Sequence, residues 1–202
     1  MWSSILFGMK MYDIINYTDC SELQQQEIFN LRNHPEIRKW MTNPEQISWK
    51  SHLSFVGKLR QSDDRIYYAV YQNSKLVGTY NLTRESDGVW ERGIITSPLF
   101  QGSGSTIEME KYILGNLPSD KFKWITAKVK LDNVRSIRYH KKVGYQEYHR
   151  NKEYIYFKLN INMIQKSVLL GGGKNLTSND CLTQMALIIS LVSRKKRYSI
   201  CK

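Results

Sequence analysis

Between Ser48 and Gln61 the apolar residues of SWKSHLSFVGKLRQ (Trp49, Leu53, Val56 and Leu59) recur every three or four positions, the spacing of one helix face. A few residues later the period drops to two. IYYAVYQ, KLVGTYNLT and VWERGIIT read as strands, with Asn73-Ser74 and Ser86-Asp87-Gly88 as the turns between them. This stretch predicts an antiparallel meander. Ahead of it lie a short strand near Tyr12–Tyr17 and a helix over DCSELQQQEIFNLRNHP. In that helix Ser21 is the N-cap, Leu23, Ile28 and Leu31 lie on one side, and Pro35 is the stop. Pro35 also opens a short helix, PEIRKWM, because proline is tolerated in a first turn. Further on, TIEMEKYILGNL predicts a helix and FKWITAKVK a strand. DNVRSIRYHKKVG predicts a helix capped by Asp132 or Asn133 and closed by Gly144, and YQEYHR and EYIYFKLNI a hairpin-like pair. The order β α α β β β α β α β β is that of one α/β domain over residues 12–162.

The chain on either side differs in kind. Residues 1–11 are apolar but short, with neither a basic leader nor a small-residue cleavage site, so they do not read as a signal peptide, and Met9 or Met11 serves equally well as a start. Residues 163–202 hold a linker-like GGGKNLTSND, a run of about 13 residues in CLTQMALIISLVS that falls short of the ~20 a membrane span needs, and then RKKR. A basic, apolar tail of this kind suits contact with an anionic membrane surface.

Charge sharpens the division. Of the net charge of +12, half is carried from Gln165 onward, where seven Lys/Arg face one Asp. The body is only moderately basic, which suits a polyphosphate ligand and does not call for nucleic acid. Cys20, Cys181 and Cys201 and the four histidines show no metal-ligand or disulfide spacing, so the expectation is a cytoplasmic protein without metal.

The candidate chemistry starts at FQGSGST, residues 100–106. Two glycines among hydroxyl residues suggest backbone amides left bare for a phosphate, yet no lysine follows Gly104, and Ile107 stands where a dinucleotide fingerprint needs glycine. The layout of strand, glycine loop, helix, strand and Asn-headed helix resembles the GCN5-related N-acetyltransferase (GNAT) family. Its phosphate signature, Gln/Arg-x-x-Gly-x-Gly/Ala, is matched at Gln101 and Gly104, with Thr106 in place of the last small residue. The resemblance spans about residues 12–160. It implies a central, mostly antiparallel mixed sheet with flanking helices and a splayed strand that binds acetyl-CoA. Glu91–Thr96 is that strand, with Ile94 and Ile95 near its centre. It further implies a pyrophosphate cradle at Gln101, Gly102, Ser103, Gly104, Ser105 and Thr106, at a helix N-terminus, and a backbone donor for the developing oxyanion.

NVRSIRYHKKVGY resembles the family's Asn-x-x-Ser/Ala-x-x-x-Tyr-x-x-x-Gly-Phe/Tyr pattern. Asn133, Ser136, Tyr139, Gly144 and Tyr145 fit it if the Ser136–Tyr139 spacing is compressed by one. By that resemblance Tyr139 is the general acid toward the departing thiolate, and Asn133 serves as both helix cap and cofactor contact. Glu91, Glu85, His52 and Asp132 are the available bases, with Glu91 preferred for its place on the splayed strand.

LRNHPEIRKWM followed by ISWKSHLSF is similar to the N-acetyltransferases of pseudaminic-acid biosynthesis, which acetylate the 4-amino group of a UDP-linked 4-amino-4,6-dideoxy sugar. That similarity marks Arg32, His34, Trp40, Met41, His52 and Phe55 as acceptor residues, with cations for the diphosphate and an apolar surface for the uracil. A related block occurs in acetyltransferases of protein N-termini and other amines, and a catalytically silent binding module is a further alternative. The basic body favours an acceptor that brings its own negative charge.

Overall fold

The computed structural model describes residues 12–165. The 1–11 segment and the tail beyond 165, including the membrane-contact expectation, lie outside the described residues. Seven strands form one sheet: β1 (Asp13–Asn16), β2 (Arg65–Gln72), β3 (Lys75–Ser86), β4 (Val89–Thr96), β5 (Trp124–Lys130), β6 (Gln146–Arg150) and β7 (Tyr154–Asn160), in the order β1-β2-β3-β4-β5-β7-β6. The helices are α1 (Glu22–Asn33), α2 (Pro35–Arg38), α3 (Trp49–Leu59), α4 (Ser105–Asn116) and α5 (Val134–Val143). The sheet is mixed and mostly antiparallel, as expected. The chain resolves into two compact units, with the boundary falling inside β3, β4 and α4. One holds residues up to Leu82 with Gly93–Met109, the other Thr83–Arg92 with the chain from Glu110 onward.

In the first unit β1 runs antiparallel to β2, with Asp13 opposite Tyr71 and Asn16 opposite Tyr68. Tyr17, Ile28, Val56, Leu59, Ala69 and Tyr71 make its apolar cluster. Helix α1 begins where the serine signal placed it: Ser21 Oγ accepts from Gln24 N and Gln24 Oε1 accepts from Ser21 N, a reciprocal cap. Two residues expected on inward faces turn out to be exposed, Leu23 at 81% and Leu53 at 45%. Ile28 and Leu31 on α1, and His52, Val56 and Leu59 on α3, take the buried stripe instead. A Cβ on Gly78 of β3 would come within 2.1 Å of the Ile95 carbonyl oxygen of β4, so only glycine allows that approach.

In the second unit β5 pairs antiparallel with β7 from Trp124–Asn160 to Lys130–Tyr154. Its parallel ladder with β4 is only three pairs long, Val89–Glu91 with Trp124–Thr126. The ladder stops at Glu91, the residue at which the splayed strand was expected to begin. Ile125, Ala127, Val129, Ile155, Phe157 and Leu159 are buried. Asn133, not Asp132, caps α5, accepting from Ser136 N at 3.0 Å, and Gly144 ends it in the left-handed region at φ 110°.

Candidate active site

The first unit contains a cavity of about 350 Å³ between α1, α3 and the strands. Arg32, Met41, His52 and Phe55, four of the six expected acceptor residues, line it together with Ile95 of β4. Its walls are mainly apolar (Tyr17, Ile28, Ile47, Tyr67), with Ser51, Thr79 and Asn81 as further polar groups. His52 is buried, stacked on Trp49 at 5.4 Å, and burial holds its pKa below the ordinary value. Gln25 donates through Nε2 to the Tyr17 carbonyl, which leaves Gln25 Oε1 to accept from His52 Nε2 at 2.8 Å. The ring is therefore the Nε2–H tautomer, with Nδ1 as its remaining acceptor. His34 and Trp40 are not among the lining residues. His34 caps α2, its Nδ1 accepting from Glu36 N, and Trp40 is 44% exposed with Lys39 Nζ 5.7 Å from its ring.

Asn81 gave no signal in the sequence, where it reads as one more polar strand position. A Cβ on Gly93 would lie 2.3 Å from Asn81 Oδ1, so this amide seats directly on β4 because residue 93 has no side chain.

The glycine loop belongs to the same unit. Gly102 and Gly104 have φ of 83° and 85°, with no heavy atom within 4 Å of a Cβ built on either. The glycines are needed for their backbone conformation, and the space above them is open. Ser103 Oγ donates to the Phe100 carbonyl at 2.7 Å and accepts from Ser105 N, while Thr106 Oγ1 meets Thr96 Oγ1 at 2.9 Å. Gln101 Nε2 donates to the Thr96 carbonyl at 3.4 Å. The side chains brace the turn and α4 begins at Ser105. An open, braced turn at the start of a 12-residue helix fits a pyrophosphate. Thus Gln101–Thr106, Ile94 and Ile95 share a unit with the cavity, whereas Glu91, Asn133 and Tyr139 belong to the second unit.

In the second unit, Glu91 is half-buried. Burial first, then the charge of Glu85, raise its carboxyl above the ordinary value, with Lys128 opposing them. Glu85 Oε2 is itself held by Thr126 Oγ1 at 2.8 Å. Tyr139 donates its hydroxyl to Glu110 Oε2. Glu110 also accepts from Arg92 Nε at 2.7 Å and from the Tyr145 hydroxyl at 2.8 Å, and it is fully buried. Burial first and then the Glu110 charge push the Tyr139 phenol well above 10. His140 Nδ1 donates to the Ser136 carbonyl at 2.6 Å, so its Nε2 accepts from Arg92 Nη2 at 2.8 Å. Burial and the Arg92 charge bring that imidazole down to about 3.

The compressed spacing needs revising in this light. A regular helix does not compress, and counted four residues on from Ser136 the pattern's tyrosine position falls on His140, which shares the buried face with Val143. None of the Arg92–Glu110–His140 cluster was expected, since Glu110 stands between exposed Glu108 and Lys111 with Met109 beside it and reads as a solvated helix residue.

Among the described residues there is no cluster of three or more His, Cys, Asp or Glu able to hold a metal. No helix among them is long and apolar enough to cross a membrane.

Comparison with known proteins places this geometry. A curated acetyltransferase PseH of Campylobacter jejuni (strain 81-176) is 26% identical over 151 residues, 74% of this chain and 94% of the relative. A second, from strain NCTC 11168, is 28% identical over 148 residues, 71% of this chain and 92% of the relative. The crystal structure of C. jejuni N-acetyltransferase PseH in complex with acetyl coenzyme A superposes with a TM-score of 0.60 at 22% identity, covering 74% of this chain and 99% of that one. Spermidine N-acetyltransferase from Vibrio cholerae, in complex with CoA and spermine, shares the fold at a TM-score of 0.64 and 15% identity, over 76% and 97% of the two chains. Residues 21–146 match the family described as acetyltransferase (GNAT) domain. With a braced glycine loop after a strand whose parallel ladder breaks off, the chain belongs to the GNAT family and is an N-acetyltransferase that uses acetyl-CoA.

Proposed function

We propose that the chain moves the acetyl group of acetyl-CoA to the 4-amino group of a UDP-linked 4-amino-4,6-dideoxy sugar, a step of pseudaminic-acid biosynthesis. The observation that carries this reading is the cavity of about 350 Å³ in which Arg32, Met41, His52 and Phe55 meet Ile95. It has apolar walls suited to a base or deoxy sugar, and a guanidinium suited to phosphate. Similarity to the Campylobacter acetyltransferases supports it.

In this reading the backbone amides of Gln101–Thr106 and the start of α4 take the pyrophosphate of acetyl-CoA, which supplies the activated thioester. Ile94 and Ile95 contribute backbone N–H groups to the pantetheine arm and the carbonyl oxygen, and Asn133 contributes at the head of α5. His52 offers Nδ1 to an N–H of the acceptor amine, orienting it. The amine lone pair attacks the thioester carbonyl, the nitrogen loses a proton to Glu91, and collapse breaks the C–S bond and expels the thiolate, which takes up a proton from water to leave as CoA. A carboxylate raised above its ordinary range is the stronger base and suits the role, which is worth about 10²–10⁴-fold. Tyr139 is the family-based donor to the thiolate. Its O–H is already engaged as a donor to Glu110, and proton delivery from a phenol well above 10 to a thiolate whose thiol has a pKa of about 8.5 runs uphill. We therefore assign Tyr139 to holding Glu110 rather than to proton delivery.

The test is a thiol-release assay across UDP-amino sugars, polyamines and peptide N-termini. The UDP-4-amino sugar should show the highest kcat/KM. A polyamine or peptide turned over at least as well would overturn the acceptor assignment.

A further inference from the structure

The first unit keeps two arginines, Arg32 and Arg38, without an ion-pair partner among the described residues. Arg32, in the last turn of α1, donates through Nη2 to the Asn43 carbonyl at 2.8 Å, and Arg38, ending α2, donates through Nη1 to the Pro44 carbonyl at 3.4 Å. Arg32 Nη1 and Arg38 Nε are buried with no hydrogen-bond partner among the described residues. The nearby carboxylate of Glu36 is taken by Lys39 at 2.5 Å, and neither arginine has an ion pair among the described residues. The two guanidiniums feel each other: burial first, then the charge of Arg38, lower the pKa of Arg32.

Such an arrangement works against folding. A buried donor left without a partner is costly, the more so when charged, and like charges repel. The local structure nonetheless holds both side chains in place. The loop between α2 and α3 is anchored to Arg32 and Arg38 through its carbonyls, and to Asn33 by a two-way bond with Ile47 (Nδ2 to the carbonyl at 3.0 Å, N to Oδ1 at 2.9 Å). Two fixed guanidiniums with inward, unsatisfied donors are complementary to one ligand class, a compact polyanion with several acceptor oxygens.

We propose that Arg32 and Arg38 together form the diphosphate seat for a nucleoside-diphosphate-linked acceptor, Arg32 from the cavity wall and Arg38 from the end of α2. This deepens the nucleotide-sugar reading above and rests on it. It also gives the site its selectivity: two uncompensated positive charges repel a polyamine and attract an acceptor that is itself anionic.

The experiment uses the full-length protein with its acetyl-CoA site filled by coenzyme A, so that added phosphate cannot report on the glycine loop. UDP, inorganic pyrophosphate and uridine are titrated by calorimetry into wild type, Arg32→Gln, Arg38→Gln and Arg38→Lys, with melting temperature as the folding control. UDP and pyrophosphate binding should weaken at least 10-fold in each glutamine variant, with uridine and coenzyme A affinity unchanged, and Arg38→Lys should lose less than Arg38→Gln. The dependence of UDP affinity on salt should flatten in the two glutamine variants and persist in Arg38→Lys. Should Arg38→Gln not fold, Arg38→Lys carries the comparison, since lysine keeps the charge and loses the guanidinium fork. Wild type that binds UDP with variants that bind it equally well would overturn the two-arginine seat and leave the nucleotide-sugar reading standing. Wild type that binds neither UDP nor pyrophosphate would overturn the reading itself.

Discussion

Arg92 is buried and Arg32 keeps one guanidinium nitrogen buried, and the protein treats the two charges in opposite ways. Arg92 gives Nε to Glu110 and Nη2 to His140, and two tyrosine hydroxyls complete the Glu110 carboxylate. Its charge is compensated within the unit that holds it. Arg32 meets a single carbonyl through one nitrogen, keeps another buried and unpaired, and has Arg38 for a charged neighbour. A buried charge paired on every side serves the scaffold, whereas a guanidinium with a buried donor to spare keeps capacity for an anion.

Substitution at the two arginines probes this contrast most strongly. Arg92→Met strands a fully buried carboxylate and should lower stability by about 3–5 kcal/mol in a urea melt. Arg32→Gln should change the same melt little and instead raise the acceptor KM at least 10-fold, leaving the KM for acetyl-CoA alone. A harmless Arg92→Met, or a strongly destabilising Arg32→Gln, would reverse the assignment of roles.

The glycine loop offers the next largest effect. Gly104→Asp sets a carboxylate over the phosphate cradle at a residue whose φ is 85°. The Kd for acetyl-CoA should rise by roughly 10²-fold or more, with several kcal/mol of anion binding replaced by repulsion. Unchanged acetyl-CoA affinity in a folded variant would remove the loop from the site.

Tyr139→Phe has a smaller and differently shaped consequence. As a donor to buried Glu110, its loss should cost about 1–3 kcal/mol of stability, with kcat within a few-fold of wild type. A loss in kcat of about 10²-fold at unchanged melting temperature would restore the phenol to the acid role.

Much of this was readable before any coordinates. The strand and helix order, the Ser21 cap, a cap at Asp132 or Asn133 (the structure selects Asn133), the left-handed Gly144 stop and the two-residue turn at Asn73-Ser74 all follow from local chemistry. Such features depend on residues a few positions apart. Four of the six residues marked by the family block line one cavity, which the block made legible by holding them together. The Arg92–Glu110–His140 cluster was not, because its members lie 18 and 48 positions apart and each reads alone as a solvated or capping residue. Leu23 and Leu53 misled for the converse reason: a helical period says which residues share a face, but not how wide the buried stripe is.

The paired, buried cluster should also show itself in pH dependence. His140 is held near 3 in the folded chain against about 6.5 when free. Between those values the unfolded chain binds a proton that the folded chain does not, so stability is full above about 6.5 and falls as pH drops toward 3. His140→Gln should flatten that part of the profile, and a wild-type melting temperature unaltered between pH 6.5 and 4.5 would speak against a neutral, buried His140.

The central claim is the identity of the acceptor, and the most direct measurement is to find where the acetyl group goes. Acetyl-CoA is supplied with an equimolar mixture of the UDP-linked 4-amino-4,6-dideoxy sugar, spermidine and a peptide with a free N-terminus, and the products are separated and assigned by mass spectrometry and NMR. The prediction is an acetyl group on the 4-amino nitrogen of the nucleotide sugar, with the other two amines unmodified. Acetyl-spermidine or an acetylated peptide as the main product, with the nucleotide sugar recovered intact, would contradict it.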